Sequence, residues 1–254
     1  IVCKTAQVVV VGGVRRSALL SLSDIGDEQM RTCKSGEWWH TEPQRALANN
    51  SANYHSQPDV GTFLKEWQAL YNSKSGERGI FSSANAKKHV EKLGDRRIPI
   101  EDFGTNPCSE IILRPREFCN LTEAVVRPND NKSTLGNKIV LATILGTWQS
   151  TLTNFRYLSN KWKVNCEEER LLGVSLTGIM DSPLTNGSSG ENLPSLLSHL
   201  KEVAISTNKV HAEVLDINPS SSITCVKPSG TVSQLVDSAS GIHTRHSPFY
   251  IRTV

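Results

Sequence analysis

Short strand-like runs alternate with longer amphipathic segments along this chain, and this alternation constrains the fold more than any other feature. The β-branched run 7–11 predicts a buried strand that ends at Gly12-Gly13. Apolar residues recur at helical spacing in 59–72 and 193–215, and the run 223–226 is typical of a strand after the second helix. Strands that alternate with helices predict a largely parallel α/β fold.

Further segments fit the same pattern. The segment 83–93 predicts a second, more polar helix, 121–127 a strand, and 185–190 a polar connection. We expect the helices 59–72 and 83–93 to pack on a sheet. A helix predicted over residues 138–155 has an apolar face made of Ile139, Val140, Ile144, Leu145, Trp148 and Leu152.

Composition excludes some classes of function. The chain has 254 residues, 37% hydrophobic and 21% charged, which is ordinary for one large or two small globular domains. Its formal charge of +3 is small and its Lys and Arg residues lie among acids, so we expect no direct DNA binding. No signal peptide or spanning segment is recognisable, so we expect no membrane binding. The chain begins at Ile1 without an initiator Met, and we expect a central fragment of something longer.

The cysteines indicate a reducing, cytoplasmic setting and no metal site. There are six, and none forms the CxxC pair of a zinc site. They lie at positions 3, 33, 108, 119, 166 and 225.

The most informative chemical motif is Asn106-Pro107-Cys108-Ser109-Glu110, which is followed eleven residues after the cysteine by Cys119. Two thiols, a carboxylate and an amide within one stretch suit radical or redox chemistry on a hydroxylated substrate. If the backbone is extended, Cys108 and Glu110 point to the same side. The alternative is a buried structural cysteine beside an ordinary exposed acid.

A second motif, Pro228-Ser229-Gly230-Thr231-Val232-Ser233, follows the predicted strand 223–226. Its small side chains, hydroxyls and exposed amides are typical of an anion-binding turn at a helix N-terminus. It lacks the Gly-Lys-Ser/Thr of a nucleotide-hydrolysing phosphate loop. A plain turn explains the motif equally well.

Two basic segments are less specific. Gly12-Gly13-Val14-Arg15-Arg16-Ser17 is a mobile loop in which an arginine can reach a base or phosphate, or else a solvated basic turn. His243 and His246 flank Arg245 and make a poor metal site without nearby carboxylates or cysteines. Phosphate or surface contacts suit them better.

In their order and spacing, these motifs resemble those of adenosylcobalamin-dependent (class II) ribonucleotide reductases, most closely the monomeric ribonucleoside-triphosphate reductases. Asn49-Asn50-Ser51, 76–81, 173–178 and 241–252 extend the resemblance over nearly the whole chain. It implies part of the ten-stranded α/β barrel of the family, with a finger loop at about 103–112 threading the centre. Residues 1–254 would be a partial catalytic barrel domain, without the family's N-terminal region and C-terminal cysteine tail.

The resemblance also implies chemical roles. Cys108 would carry a thiyl radical that takes the 3′ hydrogen of the ribose after the cobalt–carbon bond of adenosylcobalamin breaks, and it must be shielded from solvent. Glu110 would be the general base on the 3′ hydroxyl, and Asn106 would hold the sugar hydroxyls. Cys119 would be one of two reducing thiols, with its partner upstream of this chain.

The remaining implied residues bind substrate and effector. Ser109 lies where many relatives have glycine, and a left-handed backbone there would be strained. The implied partners are a ribonucleotide substrate, a deoxynucleotide effector and a thioredoxin-like reductant, and the protein would be a monomer or dimer. The substrate-phosphate residues are Pro228, Ser229, Gly230, Thr231 and Ser233, and the specificity-loop residues are Gly12, Gly13, Arg15, Arg16 and Ser17.

The sequence therefore predicts reduction of ribonucleoside triphosphates, or less favourably diphosphates, to 2′-deoxyribonucleotides for DNA synthesis. One alternative is a class I-type ribonucleoside-diphosphate reductase large subunit. Another is a nucleotide-binding fragment without turnover. A third, a cysteine hydrolase that uses Cys108 with one of the histidines, requires a base near that thiol.

Overall fold

The computed structural model divides the chain into two compact units. The first comprises residues 1–94 and 98–115, and the second comprises 95–97 and 116–254. The residues that the structure describes are 2–7, 10–11, 14–15, 18–94, 96–190, 192–247, 249 and 251.

The first unit is built on a parallel sheet of three neighbouring strands, β3 (Leu20–Asp24), β4 (Asn49–Asn53) and β5 (Gly79–Phe81). Leu22 lies opposite Ser51, and Ser51 lies opposite Gly79. Of the segment 7–11 predicted as a strand, Val10–Val11 forms a strand, which pairs antiparallel with Val14–Arg15. Val8 and Val9 lie outside the described residues. In chain order the elements are α1 (Val2–Ala6), β1 (Val10–Val11), β2 (Val14–Arg15), β3 (Leu20–Asp24), α2 (Glu28–Thr32), α3 (Trp38–Thr41), a 3-10 helix (Pro43–Leu47), β4 (Asn49–Asn53), α4 (Val60–Ser73), β5 (Gly79–Phe81), α5 (Ser83–Glu91), β6 (Gly104–Thr105) and β7 (Ile112–Leu113).

Helix α4 begins where the sequence predicts it, because Asp59 caps it by accepting a hydrogen bond from Thr62 N at 3.0 Å. The expectation that its apolar face packs on the sheet is wrong. The only buried residue of α4 is Glu66, which binds Arg78 at 2.8 Å and also Arg31. Two guanidinium groups under the helix thus turn a carboxylate inward. The apolar stripe faces solvent, and its exposed fractions are 74, 56, 58 and 73% for Val60, Leu64, Trp67 and Tyr71.

Helix α5 confirms both its predicted position and its predicted packing. Ser82 caps it, and Ala86 and Val90 bury their side chains against Phe103, which is 2% exposed. This small core lies beneath the β6-β7 hairpin and connects it to the rest of the first unit.

The second unit is built on two parallel strands, β8 (Asn120–Val125) and β9 (Leu172–Thr177). Asn120 lies opposite Leu172, and Val125 lies opposite Thr177. The predicted strand 223–226 is wrong in extent, since it makes one bridge, from Thr224 to Val174. Prolines at 219 and 228 flank this segment and cannot donate to a strand ladder. In chain order the elements are β8 (Asn120–Val125), α6 (Lys132–Gln149), α7 (Asn160–Glu169), β9 (Leu172–Thr177), a 3-10 helix (Ile179–Asp181), α8 (Pro183–Asn186), α9 (Leu193–Val214) and α10 (Val232–Leu235).

Helix α6 differs from its prediction in position and face. It begins earlier, because Asn131 and Thr134 form a reciprocal capping box. Its predicted face is wrong except for Ile139, since Leu145 and Trp148 are more than half exposed. Gly146 approaches the sheet so closely that an added Cβ would lie 3.4 Å from Leu172 Cδ2. The face of small residues therefore packs inward, and its buried members are Leu135, Ile139, Ala142, Thr143, Gly146 and Thr147.

Helix α9 confirms its prediction, with Pro194 in its first turn and Leu196, Leu200 and Ala204 in the main core. The polar connection predicted over 185–190 instead begins inside α8, and Gly187 ends that helix with φ +86°. Helix α7 and strand β9 were not predicted as such.

The mixed α/β class is confirmed. The three-stranded sheet β3-β4-β5 and the pair β8-β9 are both parallel. Within the described ranges the strands form separate sheets and do not close a barrel. None of the helices described is both long and apolar enough to cross a bilayer.

Candidate active site

The motif around Cys108 forms the tip of a β-hairpin in the first unit. Strands β6 and β7 pair Gly104 with Leu113 and Thr105 with Ile112. The connection between them is held by Ser109 N donating to Asn106 O at 2.9 Å and by Asn106 N donating to Ile111 O at 3.3 Å. The predicted finger loop is thus a tight hairpin whose turn carries the cysteine.

This turn changes how the reactive groups are presented. Ser109 has φ +64°, a left-handed conformation that is strained for a residue other than glycine. The backbone is therefore not extended, and the argument that places Cys108 and Glu110 on one side does not apply. Cys108 is exposed, contrary to the expected shielding, and Glu110 is partly buried.

Asn106 has a structural task in addition to its predicted one. It is 8% exposed, and its Oδ1 accepts a hydrogen bond from Ile111 N at 3.0 Å. The side-chain oxygen therefore closes the hairpin turn. Its Nδ2 is the atom left to donate to a substrate hydroxyl.

Cys119 lies in the second unit, directly before β8, and is partly buried. It lines a cavity of about 670 Å³ together with Phe118, Phe155, Tyr157 and Cys166. Cys166 is buried there and its Sγ accepts a hydrogen bond from Phe118 N at 3.3 Å. The cavity is thus largely apolar and aromatic beside the candidate redox thiol.

The turn at 228–231, here called the Ser229 turn, uses its serine internally. Ser229 is 4% exposed, and its Oγ donates to Glu123 Oε1 at 2.9 Å and accepts from Ser233 N at 3.2 Å. Ser233 is fully buried and its Oγ donates to Ser229 O. Both hydroxyls therefore shape the turn, while Pro228, Gly230 and Thr231 are the predicted members that face outward.

Glu123 is the residue here that the sequence analysis missed. It lies on β8, four residues after Cys119, a separation of about 13 Å along a strand. The sequence could have pointed to Glu123, because it is the one charged residue in the segment Asn120–Val125. It ties the Ser229 turn to the strand that follows the candidate redox cysteine.

The predicted specificity loop lies mostly outside the described residues. Gly12, Gly13, Arg16 and Ser17 are not described, and Arg15 is described only as part of strand β2. These assignments stay predictions.

The remaining titratable groups do not form a metal-binding arrangement among the described residues. Burial raises the pKa of the Cys33 thiol, because its effect outweighs the lowering of the pKa by the nearby positive charges of Arg45 and Lys34. His243 is exposed at the end of the second unit. Within the described part of the chain, no group of three or more His, Cys, Asp or Glu residues is arranged to hold a metal ion.

Comparison with known proteins shows which sequences this chain is similar to. No family model matches the sequence. The adenosylcobalamin-dependent ribonucleoside-triphosphate reductase of Lacticaseibacillus paracasei is 27% identical over 281 residues, and that of Lactobacillus acidophilus is 28% identical over 279. Both alignments cover 98% of this chain. The chain is a distant homologue of adenosylcobalamin-dependent ribonucleotide reductases.

Solved structures show the same fold relationship. A B12-dependent (class II) ribonucleotide reductase matches 88% of this chain with a TM-score of 0.66 and 20% identity. The class Id reductase α subunit of Actinobacillus ureae matches 90% with a TM-score of 0.62 and 14% identity. The chain spans about 36% of the length of the curated homologues and 34% of the class II structure.

Proposed function

We propose that this chain is the central catalytic part of a ribonucleotide reductase that converts ribonucleoside triphosphates to 2′-deoxyribonucleotides. Support comes from homology that extends over 98% of the chain to enzymes named for that reaction. The observation that carries the proposal is the β6-β7 hairpin, which presents Asn106, Cys108 and Glu110 on one short connection.

Each group on the hairpin has a task in this chemistry. The Cys108 sulfur, as a thiyl radical, takes the 3′ hydrogen atom of the ribose and later returns it, while Glu110 accepts the proton of the 3′ hydroxyl. A proton from the reducing thiol pair leaves with the 2′ hydroxyl as water, and the two thiols supply the electrons as they form a disulfide. Asn106 Nδ2 donates to a sugar hydroxyl while its Oδ1 keeps the turn closed. Cys119 supplies one of the two reducing thiols, and a thioredoxin-like protein resets the disulfide.

The exposure of Cys108 defines what the complete site needs. A thiyl radical in contact with solvent is quenched, so the sulfur must be covered when the nucleotide is bound. The Ser229 turn is proposed to hold the substrate phosphates through its main-chain amides and Thr231, since the Ser229 and Ser233 hydroxyls are engaged within the protein.

The names of the homologues support adenosylcobalamin as the cofactor. When bound it would supply the radical that the hairpin cysteine uses. No group of described side chains points to a corrin-binding surface, so the proposed chemistry of this chain is confined to the residues above. The basic loop 12–17 would read a deoxynucleotide effector.

The test is reduction of CTP in the presence of adenosylcobalamin and dithiothreitol, with formation of the deoxynucleotide measured by chromatography. Dithiothreitol takes the place of the second thiol of the Cys119 pair, and we expect deoxynucleotide from the chain, none from Cys108→Ser, and unchanged product from the control Cys33→Ser. Equal activity of Cys108→Ser and the parent chain would contradict the proposal. Preference for CDP with an added radical-generating subunit would favour the class I alternative.

A nucleotide-binding fragment without turnover is the second candidate, because the chain spans only about a third of its homologues. Isothermal titration with CTP separates it from the first. A fragment that binds saturably, leaves the cobalt–carbon absorbance unchanged and forms no deoxynucleotide would establish this alternative.

A further inference from the structure

The segment that directly follows the Ser229 turn and α10, residues 236–241, runs behind that turn and is here called the strap. Ser240 Oγ donates to Ser229 O at 2.6 Å, and Ser238 N donates to Ser233 O at 2.9 Å. Gly241 has φ +56°, and an added Cβ there would lie 3.0 Å from Lys227 O. The strap therefore contacts the main chain of the Ser229 turn directly, by hydrogen bonding and by close packing.

On its inner side, the strap is bonded to the end of β9. Gly178 N donates to Ala239 O at 2.9 Å, and Thr177 Oγ1 donates to the same oxygen at 3.2 Å. Gly241 N donates to Thr177 Oγ1 at 2.9 Å. Thr177 is fully buried, so these bonds fix two points of the strap to the core.

On its outer side, the strap is held by an ionic cluster. Asp181 Oδ2 accepts from Ala239 N at 2.7 Å, and its Oδ1 lies 3.0 Å from Arg245 Nε. Arg245 donates to Asp237 O at 2.8 Å and to Asp237 Oδ1 at 2.7 Å. Arg127 also donates to Asp237 O, at 2.7 Å. Asp237 itself is left-handed, with φ +48°, and two guanidinium groups hold its carbonyl in that conformation.

Asp181 is the member that joins the cluster to the strap backbone. Its side chain is 13% exposed. Burial acts to raise the pKa of Asp181, but the hydrogen bonds from Arg245 and Ala239 outweigh it and hold the pKa below its ordinary value. Loss of this one charge weakens the hydrogen bond from Ala239 N to Asp181 and removes the ion pair between Asp181 and Arg245.

We propose that Asp181 and Arg245 are positioning residues for the Ser229 turn, acting on the substrate phosphates only through the strap and Ser240. This inference rests on the proposed phosphate-binding role of that turn. Neither side chain makes a contact with the turn itself among the described bonds. Their effect should therefore depend on the number of phosphates on the nucleotide, which a general stabilising role would not produce.

The experiment is isothermal titration of the whole chain with cytidine, CMP, CDP and CTP, comparing Asp181→Asn with the parent. We expect the parent to bind CTP more tightly than cytidine, and Asp181→Asn to lose about tenfold for CTP, the equivalent of one charge-assisted hydrogen bond. Its affinity for cytidine should be unchanged. The matched control is Glu167→Gln on α7, where the carboxylate binds Thr153 and Lys163 instead.

Three further variants keep the test decisive if Asp181→Asn fails to fold. Ser240→Ala removes the strap's bond to Ser229 without altering charge and should weaken CTP binding but not cytidine binding. Arg245→Lys should restore part of the affinity that Arg245→Gln loses. Equal loss for CTP and cytidine, or no difference between these variants and Glu167→Gln, would overturn the inference. A parent chain that binds CTP and cytidine equally would overturn the phosphate assignment of the turn as well.

Discussion

Helix α4 of the first unit and helix α9 of the second unit bury opposite kinds of face. In the second unit, α9 turns its apolar residues Leu196, Leu200 and Ala204 into the core. In the first unit, α4 has the same kind of apolar spacing but turns Glu66 inward and leaves Trp67 in solvent. An amphipathic pattern thus predicts that a helix forms, and it does not by itself predict which face is buried.

The cause of the difference is the charge beneath each helix. Arg78 is 6% exposed and donates to both oxygens of Glu66, at 2.9 and 2.8 Å, and to Ser23 Oγ at 2.8 Å. A buried guanidinium requires a carboxylate partner, and α4 supplies it. No such cation lies in the core cluster beneath α9, where the described members are apolar.

The largest test of this comparison is removal of the inward carboxylate. Glu66→Ala leaves Arg78 buried without its partner and should destabilise the first unit by about 3–5 kcal/mol. Hydrogen exchange measured by mass spectrometry reports each unit separately. The control is Glu101→Ala, whose carboxylate is 80% exposed and pairs with Lys87. A Glu66→Ala effect no larger than the control would show that the ion pair does not hold α4.

A matched pair of leucines tests the helix faces directly. Leu200→Ala on α9 removes a side chain that is 4% exposed and should cost about 2–5 kcal/mol. Leu64→Ala on α4, at 56% exposure, should cost less than about 0.5 kcal/mol. Urea unfolding of both variants gives the comparison. Equal losses would mean that the α4 stripe is covered in solution.

Acid should weaken the first unit through Glu66. Burial acts to raise the pKa of Glu66, but hydrogen bonds from Arg78 and Arg31 outweigh it, so the pKa lies below the ordinary glutamate value. The stabilisation is therefore complete above the unfolded-state pKa and is lost as the pH falls through the folded-state pKa. Unfolding free energy measured from pH 7 downward should show this loss, and Glu66→Gln should remove it. Because protonation leaves the side chain in place, the effect is smaller than that of deletion.

The sequence predicted the elements that depend on local signals. The segments 59–72, 83–93 and 193–215 were predicted as helices, and α4, α5 and α9 occupy them. Apart from Ile139, the buried face of α6 was not predicted, because Gly146 and the threonines on it approach β8 and β9 closely. Likewise Glu123 and Asp181 lie 106 and 58 residues from the backbone or side-chain groups that they bind, so no local pattern connects them.

The candidate site divides in the same manner. Cys108, Asn106 and Glu110 lie on one hairpin because they are adjacent in sequence, and their chemical roles stay predictions. The internal use of the Ser229 hydroxyl was not predicted, because its partner Glu123 lies on β8, 106 residues away. Residues that are adjacent in sequence could therefore be grouped from the sequence, and the distant contacts that orient them could not.

The smallest predicted effect compares how the two units form their functional turns. The strap of the second unit has a glycine, Gly241, at φ +56°, whereas the hairpin of the first unit has Ser109 at φ +64°. Ser109→Gly relieves the strained backbone and should stabilise the first unit by roughly 0.5–1 kcal/mol, since part of the relief is offset by greater freedom of the unfolded chain. Lys74→Gly, at the left-handed end of α4 with φ +52°, is a matched control that should gain a similar amount. Stabilisation by Lys74→Gly without any by Ser109→Gly, measured by urea unfolding, would show that Ser109 is held in this conformation by contacts that a glycine loses.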